Sequence, residues 1–326
     1  MAFGFFAQTF DGLGDIDEHY GSDVRYVKFS PPRGQNDFLR YLGGLPDHVH
    51  VGSLDQLRTY FEWGYFPERG PQRPMSGVGS LAELVECVLP DLTSADRHVG
   101  LKEQVERWHQ QGLAVAGSPP HLGGELFETA WRLRGFEQFL VDLVERPQLA
   151  NYLLDQLTSM MAQNAAILAQ AGVDILLLDD DVAMPTGLMI GPTLWRTFFK
   201  PRLARIIRLA REVAPGLIVF YHSDGDFSAL LGDLIEIGVN VVNPVQPDCM
   251  NAHAIRRAFG PKLALWGTVG TAWTWDHGSP DQIRAEVRER IRLLGPGGLL
   301  LAPAYDLDYA PRANVEAFVE TVLAFG

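Results

Sequence analysis

The sequence predicts an α/β protein of the (β/α)8 TIM-barrel class, with its active site at the C-terminal mouth of the strands. Three observations carry that prediction. Eight short apolar segments, at 3–7, 24–29, 113–116, 174–178, 217–221, 239–242, 263–266 and 299–301, alternate with helical stretches along the 326 residues, and such alternation implies a parallel sheet. Several segments end abruptly in polar residues, as Leu217-Ile218-Val219-Phe220-Tyr221 does in His222-Ser223-Asp224-Gly225-Asp226. Parallel α/β folds collect their working residues at strand C-termini. No GxGxxG follows any strand, so the fingerprint of the competing architecture, a dinucleotide-binding doubly wound sheet, is missing. Residues 1–326 are read as a single domain with an irregular excursion at about 33–93.

Composition narrows the function classes. The chain is 47% hydrophobic and 21% charged, as a soluble globular protein is. No apolar run approaches the ~18 residues of a membrane span. The start, Met1-Ala2-Phe3-Gly4-Phe5-Phe6, has no basic lead or clear cleavage site, so no signal peptide is expected. Two cysteines, Cys87 and Cys249, without a CxxC, exclude a disulfide framework and a cysteine-rich zinc site and suit a reducing cytoplasm. The formal charge of −13 argues against nucleic acid as a partner. It also disfavours a strongly anionic substrate, unless arginines are concentrated at one site.

The elements follow in order. Phe3–Ala7 reads as a strand ending at Gln8, 15–20 as a short helix, and 24–29 as a strand closed by Pro31-Pro32. From 33 to 80 glycine, proline and aromatics predominate, with one short helix at 54–61, which suggests a lid or an oligomer contact. A helix at 95–111 leads into strand 113–116 and then Gly117-Ser118-Pro119-Pro120-His121. Helices are expected at 125–131, 136–144 and 148–170. Strand 174–178 runs straight into Asp179-Asp180-Asp181, and helices at 192–199 and 202–213 precede strand 217–221. Helix 227–237, strand 239–242, helix 251–259 and strand 263–266 come next. Ser279, Pro280 and Gln282 form a helix start with a capping box. Ile283, Val287, Ile291 and Leu294 give that helix an apolar face, and Gly295 stops it. Strand 299–301, Ala302 to Asp308 and a helix at 314–323 close the chain.

If the barrel forms, its mouth gathers Gln8, His121 with Glu125, Asp179 to Asp181, His222 with Asp224, Asn243 with Gln246, Thr268, and Tyr305 with Asp306. Side chains alternate along a strand, so Asp179 and Asp181 face one way and Asp180 the other. A carboxyl near the apolar core has a raised pKa, which suits a proton donor or a ligand to a cation; alternatively these acids cap a neighbouring segment. His222 is read as an acid/base, a metal ligand or a structural histidine, and His222-x-Asp224 as a metal pair of low specificity. Gly225 permits a turn that a β-carbon would block. Tyr305 suits proton donation, ring stacking or packing. Gln246, in the stiff Asn243-Pro244-Val245-Gln246-Pro247 loop, can hydrogen-bond a substrate. Together the candidates are His222, Asp179, Asp180 and Tyr305 for catalysis, Gln8, His121, Glu125, Asn243 and Gln246 for substrate, and His222 with Asp224 for metal.

Several pieces in this order resemble the uroporphyrinogen decarboxylase superfamily, which includes cobalamin-dependent methyltransferases. They are Gly172-Val173-Asp174 leading to Asp179-Asp180, Gly191-Pro192 with Trp195, Phe198 and Pro201, and Tyr221-His222-Ser223-Asp224-Gly225. Gly238-Val239-Asn240-Val241-Val242-Asn243-Pro244-Val245-Gln246-Pro247, Phe259-Gly260, Leu265-Trp266-Gly267, Gly297-Gly298, and Pro311 with Asn314 follow. The resemblance covers about 113 to 326. It implies the same barrel and C-terminal mouth. Its decarboxylases bind a carboxylate-rich porphyrinogen through an arginine-rich motif near the N-terminus, which this chain lacks, and carry a histidine near the position of Tyr305. Its methyltransferases bind zinc through His-x-Cys and a later cysteine, activating a thiol that takes methyl from a corrinoid. Here His222 matches the histidine, Asp224 replaces the first cysteine, and no cysteine lies around Ala302 to Tyr305. The resemblance therefore implies a methyltransferase-like enzyme, with the corrinoid presented by a separate carrier protein and a small-molecule substrate. Zinc would have to do without cysteine ligands, in a harder, oxygen-rich set. The alternatives are a decarboxylase of uroporphyrinogen or another carboxylated substrate, and a catalytically silent ligand-binding barrel.

Overall fold

The computed structural model describes residues 16–30, 35–45, 54–65, 73–304 and 310–326. The strand expected at 3–7, Gln8, Tyr305 and Asp306 lie outside the described residues. The described strands are β1 (Val24–Val27), β2 (Ala114–Gly117), β3 (Ile175–Asp179), β4 (Ala183–Met184), β5 (Gly187–Leu188), β6 (Ile218–His222), β7 (Val241–Asn243), β8 (Ala264–Val269) and β9 (Leu299–Pro303). The fold is α/β: β2–β3, β6–β7, β7–β8 and β8–β9 pair in parallel, while β4 and β5 form a small antiparallel hairpin. The chain divides into two compact units, one of Tyr26–Asp181 with Thr193–Leu217, the other of Val182–Pro192 and Ile218–Gly326 with the described residues up to Arg25.

In the first unit, β2 and β3 are in register at Ala116 with Ile175 and Gly117 with Leu176. The register is pinned just before β3, where the Asp174 carboxylate accepts from the Val115 amide at 2.7 Å and faces His109 Nε2 at 2.8 Å. The helices Pro147–Ala171 and Lys200–Val213 pack together, presenting Leu153, Leu157, Leu203, Ile206 and Ile207 to the core. Phe127, Phe139 and Phe199 fill the adjoining space with tilted and edge-on ring contacts. The single helix expected at 95–111 is interrupted. A 3-10 turn, Ala95–His98, is followed by the helix Leu101–His109, because Gly100 takes a left-handed φ of 80° that ends the first turn. Among the described residues, the stretch 33–80 holds a second helix beside the expected one: Gln35–Gly43 packs on Leu54–Glu62 through Phe38, Tyr41 and Leu57. Arg134 and Asp142 make a fully buried ion pair at 2.7 Å, and Arg134 also donates to the Met75 and Val78 carbonyls.

In the second unit, β6 to β9 form a continuous parallel run. Asn240 repeats the device of Asp174: its side chain accepts from the Val219 amide at 3.0 Å, just before β7. The two matched Gly-Val-Asx texts, 172–174 and 238–240, thus each tie a strand start to the preceding strand. Behind the strands, Val269, Trp275, Ile283, Val287 and Phe318 form a buried cluster with the helices Pro280–Leu294 and Arg312–Phe325. The capping box of Ser279 and Gln282 is present as read from the sequence. Among the described residues, no helix is long and apolar enough to cross a membrane.

Candidate active site

Strand β6 carries buried Val219, Phe220 and Tyr221 and then emerges at half-buried His222. Its ring is held by the next strand: His222 Nδ1 lies 2.7 Å from Asn243 Oδ1, with His222 and Asn243 in register. An amide oxygen only accepts, so Nδ1 carries a proton. Nε2 lies 3.9 Å from Asp224 Oδ1. That oxygen also accepts from Gln246 Nε2 at 3.1 Å, and Gln246 Oε1 accepts from the Gly225 amide at 2.8 Å. The Gln246 amide is therefore fixed in orientation at both ends, and it fixes Asp224.

Backbone geometry explains the turn. Gly225 has φ of 80°, and a β-carbon there would come within 2.6 Å of the Met184 carbonyl. Only glycine lets the chain pass the β4–β5 hairpin, which Asp226 joins by donating its amide to Met184 O. Ser223 is buried; its hydroxyl accepts from the Val182 amide and donates to the Asp224 carbonyl. Neither role is marked in the sequence, since a serine beside two acids suggests only polarity. Cys249 Sγ lies 3.5 Å from Gln246 Oε1. Burial pushes its thiol up, and Asp226, Asp248 and Asp224 add to that shift.

The end of β3 is organised by a clasp within the first unit. Glu125, fully buried, accepts from the Asp179 amide at 2.5 Å and from Ser118 Oγ at 3.3 Å, while the Glu125 amide donates to Asp179 O. Asp180 is 1% exposed and accepts from the Phe127 and Glu128 amides at 2.8 and 2.9 Å. It thereby caps the helix Phe127–Arg134, with a carboxyl at the positive end of the dipole. Burial pushes the Glu125 and Asp180 carboxyls well above their ordinary range; the Asp179 charge adds to the first, and the two helix amides oppose the second. Asp179 and Asp181 stay half-buried, on the alternation expected of a strand end. Gly124 makes the clasp feasible, because a β-carbon there would meet Asp179 O at 2.6 Å. His121 is half-buried on the same loop.

The site was expected to draw together Asp179, Asp180, Glu125 and His121 with His222, Asp224, Asn243 and Gln246. Glu125 and Asp179 are joined by the clasp beside Asp180, and His222, Asp224, Asn243 and Gln246 by the amide network, while His121 lies half-buried on the clasp's loop. A zinc set of one histidine and two thiolates does not fit these residues. Asp224 offers oxygen where a thiolate would be required, and Cys249 is turned to the Gln246 amide.

Residues 113–325, more than half of the chain, match the family described as uroporphyrinogen decarboxylase (URO-D). The chain belongs to the uroporphyrinogen decarboxylase family. Within the family's reach lies a curated relative, the methylcobamide:CoM methyltransferase MtaA of Methanosarcina barkeri, which is 24% identical over 185 residues, 56% of this chain and 51% of the relative. The chain thus spans about half the length of the curated relative it matches. A solved methyltransferase from Methanosarcina mazei superposes with a TM-score of 0.64 at 20% identity, covering 95% of this chain and 82% of that one. At that identity the likeness shows a shared fold. The uroporphyrinogen decarboxylase match takes in all of the β2, β3 and β6 to β9 segments that carry the candidate residues.

Proposed function

We propose that this uroporphyrinogen decarboxylase family member is a methyltransferase-like enzyme, moving a methyl group between a corrinoid and a small acceptor at the C-terminal mouth of a closed (β/α)8 barrel. The likeness to a methylcobamide:CoM methyltransferase carries the choice of reaction class, and the held ring of His222 supplies the chemistry. A methyl acceptor with an acidic X–H bond must lose its proton as the X–C bond forms. With Nδ1 donating to Asn243, His222 Nε2 is the base that takes that proton, and Asp224 stabilises the imidazolium that results. Gln246 keeps Asp224 in place. Within its own unit, Asp180 holds the β3 end. His222 and Asp224 would offer a nitrogen and an oxygen donor, which suit a harder cation than a thiolate set would select. A separate carrier protein presents the corrinoid.

The test is demethylation of methylcobalamin, followed by its visible absorbance, with purified protein and a panel of small thiols. Thiol-dependent conversion to cob(I)alamin supports the proposal. No conversion with any thiol, together with decarboxylation of uroporphyrinogen by the same preparation, would replace it with the lyase reading.

A further inference from the structure

In a chain with a formal charge of −13, one place in the first unit concentrates positive charge. Arg73 and Arg132 both lie over the indole of Trp131, their guanidinium carbons 6.0 and 4.8 Å from the ring centre. Arg73 also lies over Tyr65 at 4.6 Å. The Arg132 pair with Glu128, at 2.9 Å, is the one acid contact of these two arginines among the described residues. Burial pushes the Glu128 carboxyl up, and the Arg132 charge opposes that shift. Arg73 has burial and then the Arg132 charge acting against its own charged form. The Arg132 Nε is buried without a hydrogen-bond partner.

Two guanidinium groups held near each other on aromatic walls repel, and the arrangement is favourable once an anion lies between their N–H edges. Contact with Trp131 and Tyr65 holds both guanidinium groups against aromatic surface. A guanidinium fork matches the two oxygens of a carboxylate, sulfonate or phosphate. The location suits a ligand of the same loop that carries His121 and Glu125. Gly123, at φ of 92°, lies against Arg132 so closely that a β-carbon would come within 2.5 Å of Nε.

We propose that Arg73 and Arg132, mounted on Trp131, bind the oxyanion group of a small molecule. Neither arginine is separately marked by the sequence, because 73 and 132 meet only in the fold. The inference stands apart from the methyl-transfer reading, as it concerns equilibrium binding and needs no corrinoid.

Isothermal titration of sulfate, phosphate and propionate into the purified full chain, against a chloride blank of matched ionic strength, tests it. Saturable binding of at least one probe at one site is expected. Arg73→Gln and Arg132→Gln should each weaken it by about tenfold or more, since each removes a charge-assisted fork. Arg73→Lys should fall between, and Arg208→Gln, on an exposed helix face, should bind as wild type. Circular dichroism confirms that each variant is folded. If Arg132→Gln fails to fold, the half-buried Arg73 decides the matter alone. Binding of propionate assigns the site to the tail of an organic acid, and binding of the inorganic anions alone to free phosphate or sulfate. No saturable heat with any probe, or wild-type affinity in folded Arg73→Gln, overturns the proposal.

Discussion

Strands β3 and β6 end in similarly acidic text, Asp179-Asp180-Asp181 and His222-Ser223-Asp224, yet the two ends use it in opposite ways. At β3 the central carboxyl is sealed from water and both its oxygens accept helix amides, while Glu125 closes on the Asp179 backbone. At β6 the buried residue is Ser223, and the flanking histidine and aspartate stay half-buried, held from the side by Asn243 and Gln246. Polar groups that are buried and saturated fix the backbone, because leaving one unpaired costs more than a pair contributes. Groups that are half-buried and oriented by amides are held in place while staying partly open to solvent. Sequence alternation alone does not tell these cases apart.

The largest effect expected on the closed side comes from the buried ion pair of the same unit. Arg134→Leu should lower unfolding free energy by about 3–5 kcal/mol, since it removes the buried partner of Asp142, leaving only the partly exposed Arg146 and the Gln138 amide on that carboxylate, and takes a donor from the Met75 and Val78 carbonyls; urea denaturation measures it. A loss below about 1 kcal/mol would show that the pair is wet. Asp180→Ala should cost about 1–3 kcal/mol by leaving two helix amides unpaired, read by the same method. A cost no greater than that of Asp226→Ala would place Asp180 with the open groups.

Glu125 sharpens the comparison through pH. Burial, and then the Asp179 charge, hold its carboxyl well above the ordinary range, so the folded chain keeps a proton that the unfolded chain has released. Its contribution is fully present below the unfolded pKa. It falls as pH rises, by up to about 1.4 kcal/mol per pH unit, until the raised folded pKa is passed. Glu125→Gln removes that slope, so the stability difference should shift towards the variant as pH rises from about 5 to 8. A gap independent of pH would mean that Glu125 is ionised in the fold. The smallest effect belongs to the open side: Gln246→Ala should change unfolding free energy by less than about 1 kcal/mol, and a larger loss would make Gln246 part of the scaffold.

The parallel α/β pattern was legible because apolar strands such as 217–221 stop so abruptly at polar residues. The helix start at Ser279 was legible because its cap is local. The hidden parts depend on contacts remote in sequence. Asp180 reaches amides more than fifty positions away, and Arg73 meets Arg132 only over Trp131. The helix Gln35–Gly43 was masked by glycines and prolines around it, although its apolar Phe38 and Tyr41 are at helical spacing. The short helix Leu81–Val85 had a usable signal, the Ser80…Glu83 capping box. At β3 the strand period correctly separated Asp180 from its neighbours. It could not say that the buried side faces a helix terminus. At β6 the pairing of His222 with Asp224 was visible at once, whereas the Gln246 amide that holds Asp224 required the fold.

The most direct test measures chemistry and stability on one preparation of His222→Ala. Methylcobalamin demethylation with a competent thiol should fall by about 100-fold or more, the usual size of a lost acid/base, with the thermal midpoint unchanged within a few degrees. A variant that keeps the wild-type rate, or one that loses activity only because it unfolds, would contradict the assignment of the open β6 end to catalysis.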